Sequence, residues 1–232
     1  MTYGIRIKNQ NNQIQIDGEY RNLEFTEGGN GISISNNGNW YTNIALTSSP
    51  LIPLILYQPA TDYFSVIESI EKTGANYKYF DVVTEDKQTT QINWKNYRQS
   101  NTPASGYGMR IKDAAGNLIY HSLSSYFKII QLNTINLAAP SLASKPSTDI
   151  SHSSIVNPFY ILTPTGHYYT DYDESPPGTY NFHRCKIGLK KIDATSVRVG
   201  WFNFHTSSIP GVPSGVPEGF NPTCKLIICQ IY

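Results

Sequence analysis

The sequence has no long hydrophobic run. Its longest, Leu51 to Tyr57, is seven residues and is interrupted by Pro53, well short of the roughly 20 that a membrane-crossing helix needs. No membrane insertion is expected. Charge is scarce, at 15% of residues, and balanced, with 18 basic side chains against 17 acidic for a net +1. Such a chain carries no field to draw in nucleic acid or an anionic membrane, so partners must be read by shape and local groups. Near the N-terminus, Arg6 and Lys8 are followed by Asn and Gln where a secretory leader would place an apolar segment. Synthesis in a cytoplasm is expected.

Cysteine is nearly absent too. Cys185, Cys224 and Cys229 are odd in number and show no C-x-x-C spacing, which argues against a disulfide framework. If "CKLIICQIY" is a strand, Cys224 and Cys229 point to opposite faces and share neither a metal nor a bridge. They read as small buried hydrophobes. Also missing are a G-x-S-x-G elbow, an H-E-x-x-H pair and a phosphate-binding glycine loop. His152, in "SHSS", reads as a loop histidine. No catalytic residues, metal or cofactor are expected.

What the chain does have is a repeat. "YGIRIK" at residues 3–8 returns as "YGMRIK" at 107–112, an offset of 104. Collinear matches follow: Pro53 and Pro59 with Pro158 and Pro164 at offset 105, then Asp86 and Trp94 with Asp193 and Trp201 at offset 107. These place two tandem units at 1–103 and 104–232, joined in the turn-rich "QSNTPASG". Two copies are too few for a solenoid, so each unit has its own core or the two complete one another. The second unit alone then has a Gly/Pro-rich loop and a further C-terminal strand, expected to close a sheet edge.

The repeated element alternates apolar Ile5, Ile7, Ile14 and Ile16 with polar neighbours around a polar turn, the period of a half-buried hairpin. In the second copy, "DAAGN" puts Asp113 first in the turn and Gly116 where positive φ is wanted; Asn12 holds that place in the first copy. Arg6, Lys8, Arg110 and Lys112 fall on the solvated face. Short β-branched and aromatic runs bounded by Asn, Gly, Ser or Pro continue along the chain, predicting an all-β fold of two tandem antiparallel β-sandwich units related by internal duplication. Only "FSVIESIEKTG", residues 64–74, has helical spacing, and reads as a short helix or as a strand and turn.

"MTYGIRIKNQNNQIQIDGEYRNLEF" and "GYGMRIKDAAGNLIYHSLSSYFKII" resemble the hairpin that opens small virion proteins of tailed bacteriophages, minor tail, tail-tip or fibre-associated β-sandwich components. The resemblance covers about 25 residues in each copy. It implies a structural role in a virion tail, with other tail proteins as partners, assembly as an oligomer around the tail axis, and a contribution to host attachment through a bacterial surface glycan or protein receptor. It carries over no catalytic residues. With no heptad or Gly-x-y shaft, a free-standing long fibre is not expected.

Candidate contacts lie on three segments. Trp40 follows a turn in "NNGNWYTN" and has no counterpart in the second unit. "GHYYTDYDESPPG", residues 166–178, offers Tyr168, Tyr169 and Tyr172 as a platform for a sugar, the basis of an alternative reading as a lectin-like module. The plainer reading of the segment is a solvated loop with tyrosines packing over its base, and its His167, Asp171, Asp173 and Glu174 lack the mid-loop glycine of a calcium loop. A hydrolase would need carboxylates such as Asp171 with Asp193 or Glu174 held across a cleft. Residues 206–223 form the third segment, with Pro210, Pro213 and Phe220 as contacts whose prolines limit the entropy lost on binding. Trp94 and Trp201 read as core anchors.

Overall fold

The computed structural model describes residues 6–8, 14–17, 23–35, 41–99, 107–113, 115–116, 118–141, 144–152, 155–163, 168–174, 177–210 and 223–231. The first half of the chain forms β1 (Arg6–Lys8), β2 (Ile14–Asp17), β3 (Leu23–Ile34), β4 (Thr42–Ser49), β5 (Leu54–Gln58), β6 (Ser65–Thr73), β7 (Asn76–Thr84) and β8 (Thr90–Gln99). The second forms β9 (Arg110–Lys112), β10 (Leu118–His121), β11 (Phe127–Asn136), β12 (Ser147–Ser151), β13 (Phe159–Thr163), β14 (Tyr168–Glu174), β15 (Thr179–Lys191), β16 (Ser196–Pro210) and β17 (Thr223–Ile231). A single 3-10 turn, Glu85–Lys87, is the only helical element among the described residues.

Two large antiparallel sheets pack face to face, which is the all-β sandwich expected from the sequence. Their strand orders are β11-β17-β13-β5-β8-β3 and β12-β16-β15-β6-β7-β4, with β14 added beside β15. Both sheets therefore run across residues 103 and 104, each taking three strands from either half. The halves complete one another in a single sandwich, and the junctions are antiparallel: Tyr57 faces Tyr160 in one sheet, Ser65 faces Leu189 in the other.

Setting β14 aside, the halves have the same connectivity, and the correspondence reaches individual residues. In β3, Phe25 faces Tyr97, Thr26 bulges out and Glu27 faces Asn96. In β11, Ile129 faces Cys229, Ile130 bulges out and Gln131 faces Ile228. The bulges are 104 residues apart, the offset of the hairpin motif.

That correspondence corrects two expectations. Trp94 and Trp201 are not counterparts, since they lie in β8 and β16 of opposite sheets. Tyr57 faces Trp94 as Leu162 faces Leu226, so Leu226 occupies the position of Trp94. Nor is the C-terminal strand extra or an edge: β17 is the counterpart of β8 and is paired on both sides, with β11 and β13.

Alternation along the strands builds one core between the sheets. Ile55, Tyr57, Trp94, Tyr160, Leu226 and Ile228 from one sheet meet Val66, Phe80, Val82, Leu189, Val199 and Trp201 from the other. Each such aliphatic side chain contributes about 1.5–3 kcal/mol on burial. Trp94 and Trp201 are 5% and 1% exposed, as core anchors should be, and Phe80 meets the Trp94 ring edge-on at 5.2 Å. Gly188 and Gly200 face each other across β15 and β16. A Cβ on Gly188 would lie 2.5 Å from the Phe202 ring, which is stacked on Phe64.

Leu56, Tyr97, Phe159 and Cys229 form a second cluster on the opposite face of the first sheet. Cys224 belongs to the main core and Cys229 to this one, so the two thiols point to opposite faces of β17, as its period requires. All three cysteines are buried thiols that form no disulfide.

The hairpins are as expected where described. In β9–β10 the Gly116 N–H donates to the Asp113 carbonyl at 3.0 Å, with φ +83° at Gly116. Ile111 is buried while Arg110 and Lys112 are exposed. Asn12 lies outside the described residues. Residues 65–73 are strand β6, turning at Gly74 with φ +64°. The helical spacing there has a physical cause: a bulge at Glu68 shifts the register, so that Ile67 and Ile70, three apart, fall on one face.

Candidate functional site

The pseudo-symmetric junction of the first sheet carries a polar cleft on its outer side. β5 ends at Gln58, and the chain runs through Pro59, Ala60 and Asp62 along the start of β8, with Gly31 and Ser33 of β3 on the far wall. The cleft has a volume of about 580 Å³. A smaller one of about 240 Å³ adjoins it, sharing Gln58 and Lys191 and reaching Asn157, Tyr160 and Thr195.

A relay of amides crosses the floor. The Gly31 N–H donates to Asn93 Oδ1 at 2.5 Å, Asn93 Nδ2 donates to Gln58 Oε1 at 2.8 Å, and Gln58 Nε2 donates to the Pro158 carbonyl at 2.8 Å. Gly31 has φ +63°, and no atom stands within 4 Å of where a Cβ would be, so the β3 wall is low and open. Thr90 Oγ1 donates to Asp62 Oδ1 at 2.8 Å, and the Lys191 N–H donates to the Ala60 carbonyl at 2.8 Å. The side-chain amide oxygens and nitrogens of Asn93 and Gln58 each retain a further lone pair or hydrogen. The cleft therefore presents fixed amides, hydroxyls, one carboxylate and one ammonium, a set suited to a neutral polyhydroxyl ligand.

Beneath the smaller cleft, His152 lies in the loop after β12, as expected, and is 3% exposed. Its Nε2 lies 2.7 Å from the Tyr160 hydroxyl, and its backbone N–H donates to the Thr195 carbonyl at 2.8 Å. Burial pushes the imidazole below its ordinary value of 6.5, against the opposing influence of Asp193. Burial likewise pushes the Tyr160 phenol well above its usual range. Neutral imidazole and neutral phenol form a structural pair. Asp193 caps the β15–β16 turn, accepting from the Thr195 N–H and hydroxyl at 2.6 and 2.9 Å, and those bonds hold its carboxyl below the ordinary range.

A third, apolar cavity of about 400 Å³ is lined by Leu54, Ile55, Val66, Ile70 and Ile161 where β6 leaves β15. Beside it the Lys186 ammonium, 3% exposed by residue, pairs with Glu68, the bulge residue of β6, and lies 5.2 Å above the Phe204 ring.

None of the contact residues singled out from the sequence is among the described residues that line these clefts. Trp40, Pro213 and Phe220 lie outside the described residues, as does His167. Tyr168, Tyr169 and Tyr172 belong to β14, where the backbone pairs with Lys186, Cys185 and Phe182 of β15. Residues 168–174 are thus a strand, where a loop was expected. β16 runs to Pro210, opposite Thr179, so that segment is also strand before residue 211. Among the described residues no group of three His, Cys, Asp or Glu could hold a metal ion.

Gln58, Asp62, Asn93 and Lys191 escaped the sequence reading because no motif ties them. Asn93 shows only as the polar partner of Ile92 and Trp94, and the contacts across 35 and 100 residues that make the relay have no local signature. The chain matches no protein-family model, and comparison with curated proteins and with solved structures finds no match.

Proposed function

We propose that this chain is a structural, non-enzymatic component of a tailed-bacteriophage virion, at the tail, tail tip or fibre attachment, held by neighbouring tail proteins around the tail axis. One observation supports the reading above others. Each hairpin leads into an edge strand of the same sheet, β1–β2 into β3 and β9–β10 into β11, and each carries the Tyr-Gly-apolar-Arg strand that resembles the opening hairpin of such proteins. Internal duplication accounts for that correspondence in the simplest way, and a duplicated unit lets one chain fill two quasi-equivalent places about an axis. The test is mass spectrometry and immunogold labelling of purified particles from the source. The chain in stoichiometric amount at the tail supports the reading, and its absence from particles overturns it.

The polar cleft favours a second reading, a carbohydrate-binding module that reads a host surface glycan. Calorimetry with host surface polysaccharide separates its sites. Binding lost in Asn93→Ala or Gln58→Ala places the glycan in the cleft, binding lost in a Tyr168/Tyr169/Tyr172 triple alanine variant places it on β14, and no binding removes the reading.

A further inference from the structure

Setting β14 aside, the two strand orders leave four sheet edges among the described residues, and three are blunted. β3 is broken by two register shifts and, through Glu27, is tied to β4: the Glu27 carboxylate accepts from the Thr47 N–H at 2.9 Å, while Arg98 donates to the Thr47 carbonyl at 2.8 Å. The edges β3 and β4 thus close on one another, and β4 has a shift of its own between Ala45 and Ser49. β12 is five residues long and carries the exposed Asp149–Arg198 ion pair. Short strands, bulges and charges are the usual means by which edges avoid pairing.

β11 has none of these protections beyond its one bulge and a single lysine. It is ten residues long, its only charged residue is Lys128, and among the described residues its sole strand partner is β17. Ile129 and Leu132 are 55% and 60% exposed. The bulge at Ile130 brings both onto one face, since Ile129 faces Cys229 and Leu132 faces Ile227, which is separated from Cys229 by a single residue. That face continues inward through half-buried Ile227 and Ile161 to the Leu56–Tyr97 cluster. The contrast with the equivalent residue is direct: Phe25 of β3 has the Tyr97 ring edge-on at 5.9 Å and Lys95 over it at 4.8 Å.

We infer that the free edge of β11 is where a second copy of this chain adds, strand to strand and antiparallel about a two-fold axis, making the first sheet continuous through two molecules. The chain already joins its own halves by antiparallel pairing at β5–β13 and β6–β15. In a register centred between Ile130 and Gln131, Ile129 of each copy would stand opposite Leu132 of the other, and Lys128 opposite Asn133. The exposed apolar side chains then cover each other, no like charges meet, and the contact is closed, as two-fold pairing requires. This holds whether or not the chain is a virion protein.

The test is analytical ultracentrifugation of the full chain from micromolar to hundreds of micromolar, beside Leu132→Lys, Ile129→Lys and, as a control on another surface, Ile52→Lys. The expected result is a dimer whose dissociation constant rises at least tenfold in the first two variants and is unchanged in the third. A spin label at Ile130→Cys should report a short interspin distance in the dimer, which keeps the test open if the lysine variants do not fold. A monomer throughout, a dimer indifferent to Leu132→Lys, an open-ended series of oligomers or a long interspin distance would each overturn the proposal, a monomer pointing instead to a different protein on this edge.

Discussion

The Tyr160 hydroxyl lies 2.7 Å from His152 Nε2, inside the wall that separates the smaller polar cleft from the core. Because burial depresses the imidazole, the folded state holds it neutral to a lower pH than the unfolded chain does. The stability it supports is present above the ordinary value of 6.5 and is lost progressively as pH falls from there to the folded value. His205, also depressed by burial, acts in the same direction. Thermal melts between pH 8 and 5 should show the midpoint falling below pH 6.5, with a shallower fall in His152→Gln. Tyr160→Phe removes the partner of a buried group and should cost about 1–3 kcal/mol at pH 7.5.

Glu27 ties two edges together. Burial alone would raise its carboxyl, but bonds from Thr47 and Asn96 and the charge of Arg98 hold it below its ordinary 4.5. Its contribution is therefore present above pH 4.5 and lost as pH falls through the depressed value. Glu27→Ala leaves the Arg98 guanidinium, 4% exposed as a residue, without its counter-charge. Urea unfolding at pH 7 should show a loss of about 3 kcal/mol, toward the lower end for a broken buried pair because Glu27 itself is partly exposed. A change within experimental error would mean that the β3–β4 edge is held by other contacts.

The three thiols should be inert in the folded protein. Burial pushes Cys224 up to about 11 and Cys229 up to about 12, and the Cys185 thiol donates to Asn203 Oδ1 at 3.0 Å. A thiol-specific chromogenic reagent at pH 8 is expected to titrate none in native protein and three in denaturant.

Close backbone approach at Gly188 makes it intolerant of a methyl group. The added Cβ would meet the Phe202 ring at 2.5 Å and the Ser65 carbonyl at 2.8 Å, and the stacked Phe64 holds Phe202 in place. Gly188→Ala should cost about 1–3 kcal/mol by overpacking. Gly178→Ala, with φ +82° and open space around it, should cost about 1 kcal/mol through backbone strain alone. The two midpoints compared in one denaturant series separate crowding from strain.

Much of the fold was legible because a strand's two-residue period is local. Ile111 between Arg110 and Lys112, the turn at Asp113 and Gly116, and the opposed faces of Cys224 and Cys229 all follow from it. Partner choice does not. Trp94 and Trp201 share an aromatic strand context, yet belong to opposite sheets, since nothing within a strand says which strand lies beside it. Irregularity misled the period at Glu68, where one extra residue made a strand look helical. At residues 168–174 the acidic and tyrosine-rich composition resembled a loop, because the pairing with β15 that makes it a strand depends on backbone and not on side-chain type. The cleft was the least legible part, being assembled from residues 31 to 191 by long-range amide contacts.

Placing β17 in the interior of a sheet has a consequence for the order of events in the living cell. A nascent chain that has not yet exposed residues 223–231 holds β11 and β13 with no strand to bridge them, and its first half cannot find its neighbours at β13 and β15 until the second half appears. The first sheet therefore closes only after residues 223–231 are made, by contacts distant along the chain, and is slow to form on that account. Chains interrupted before those residues would present open sheet edges to one another and depend on chaperones.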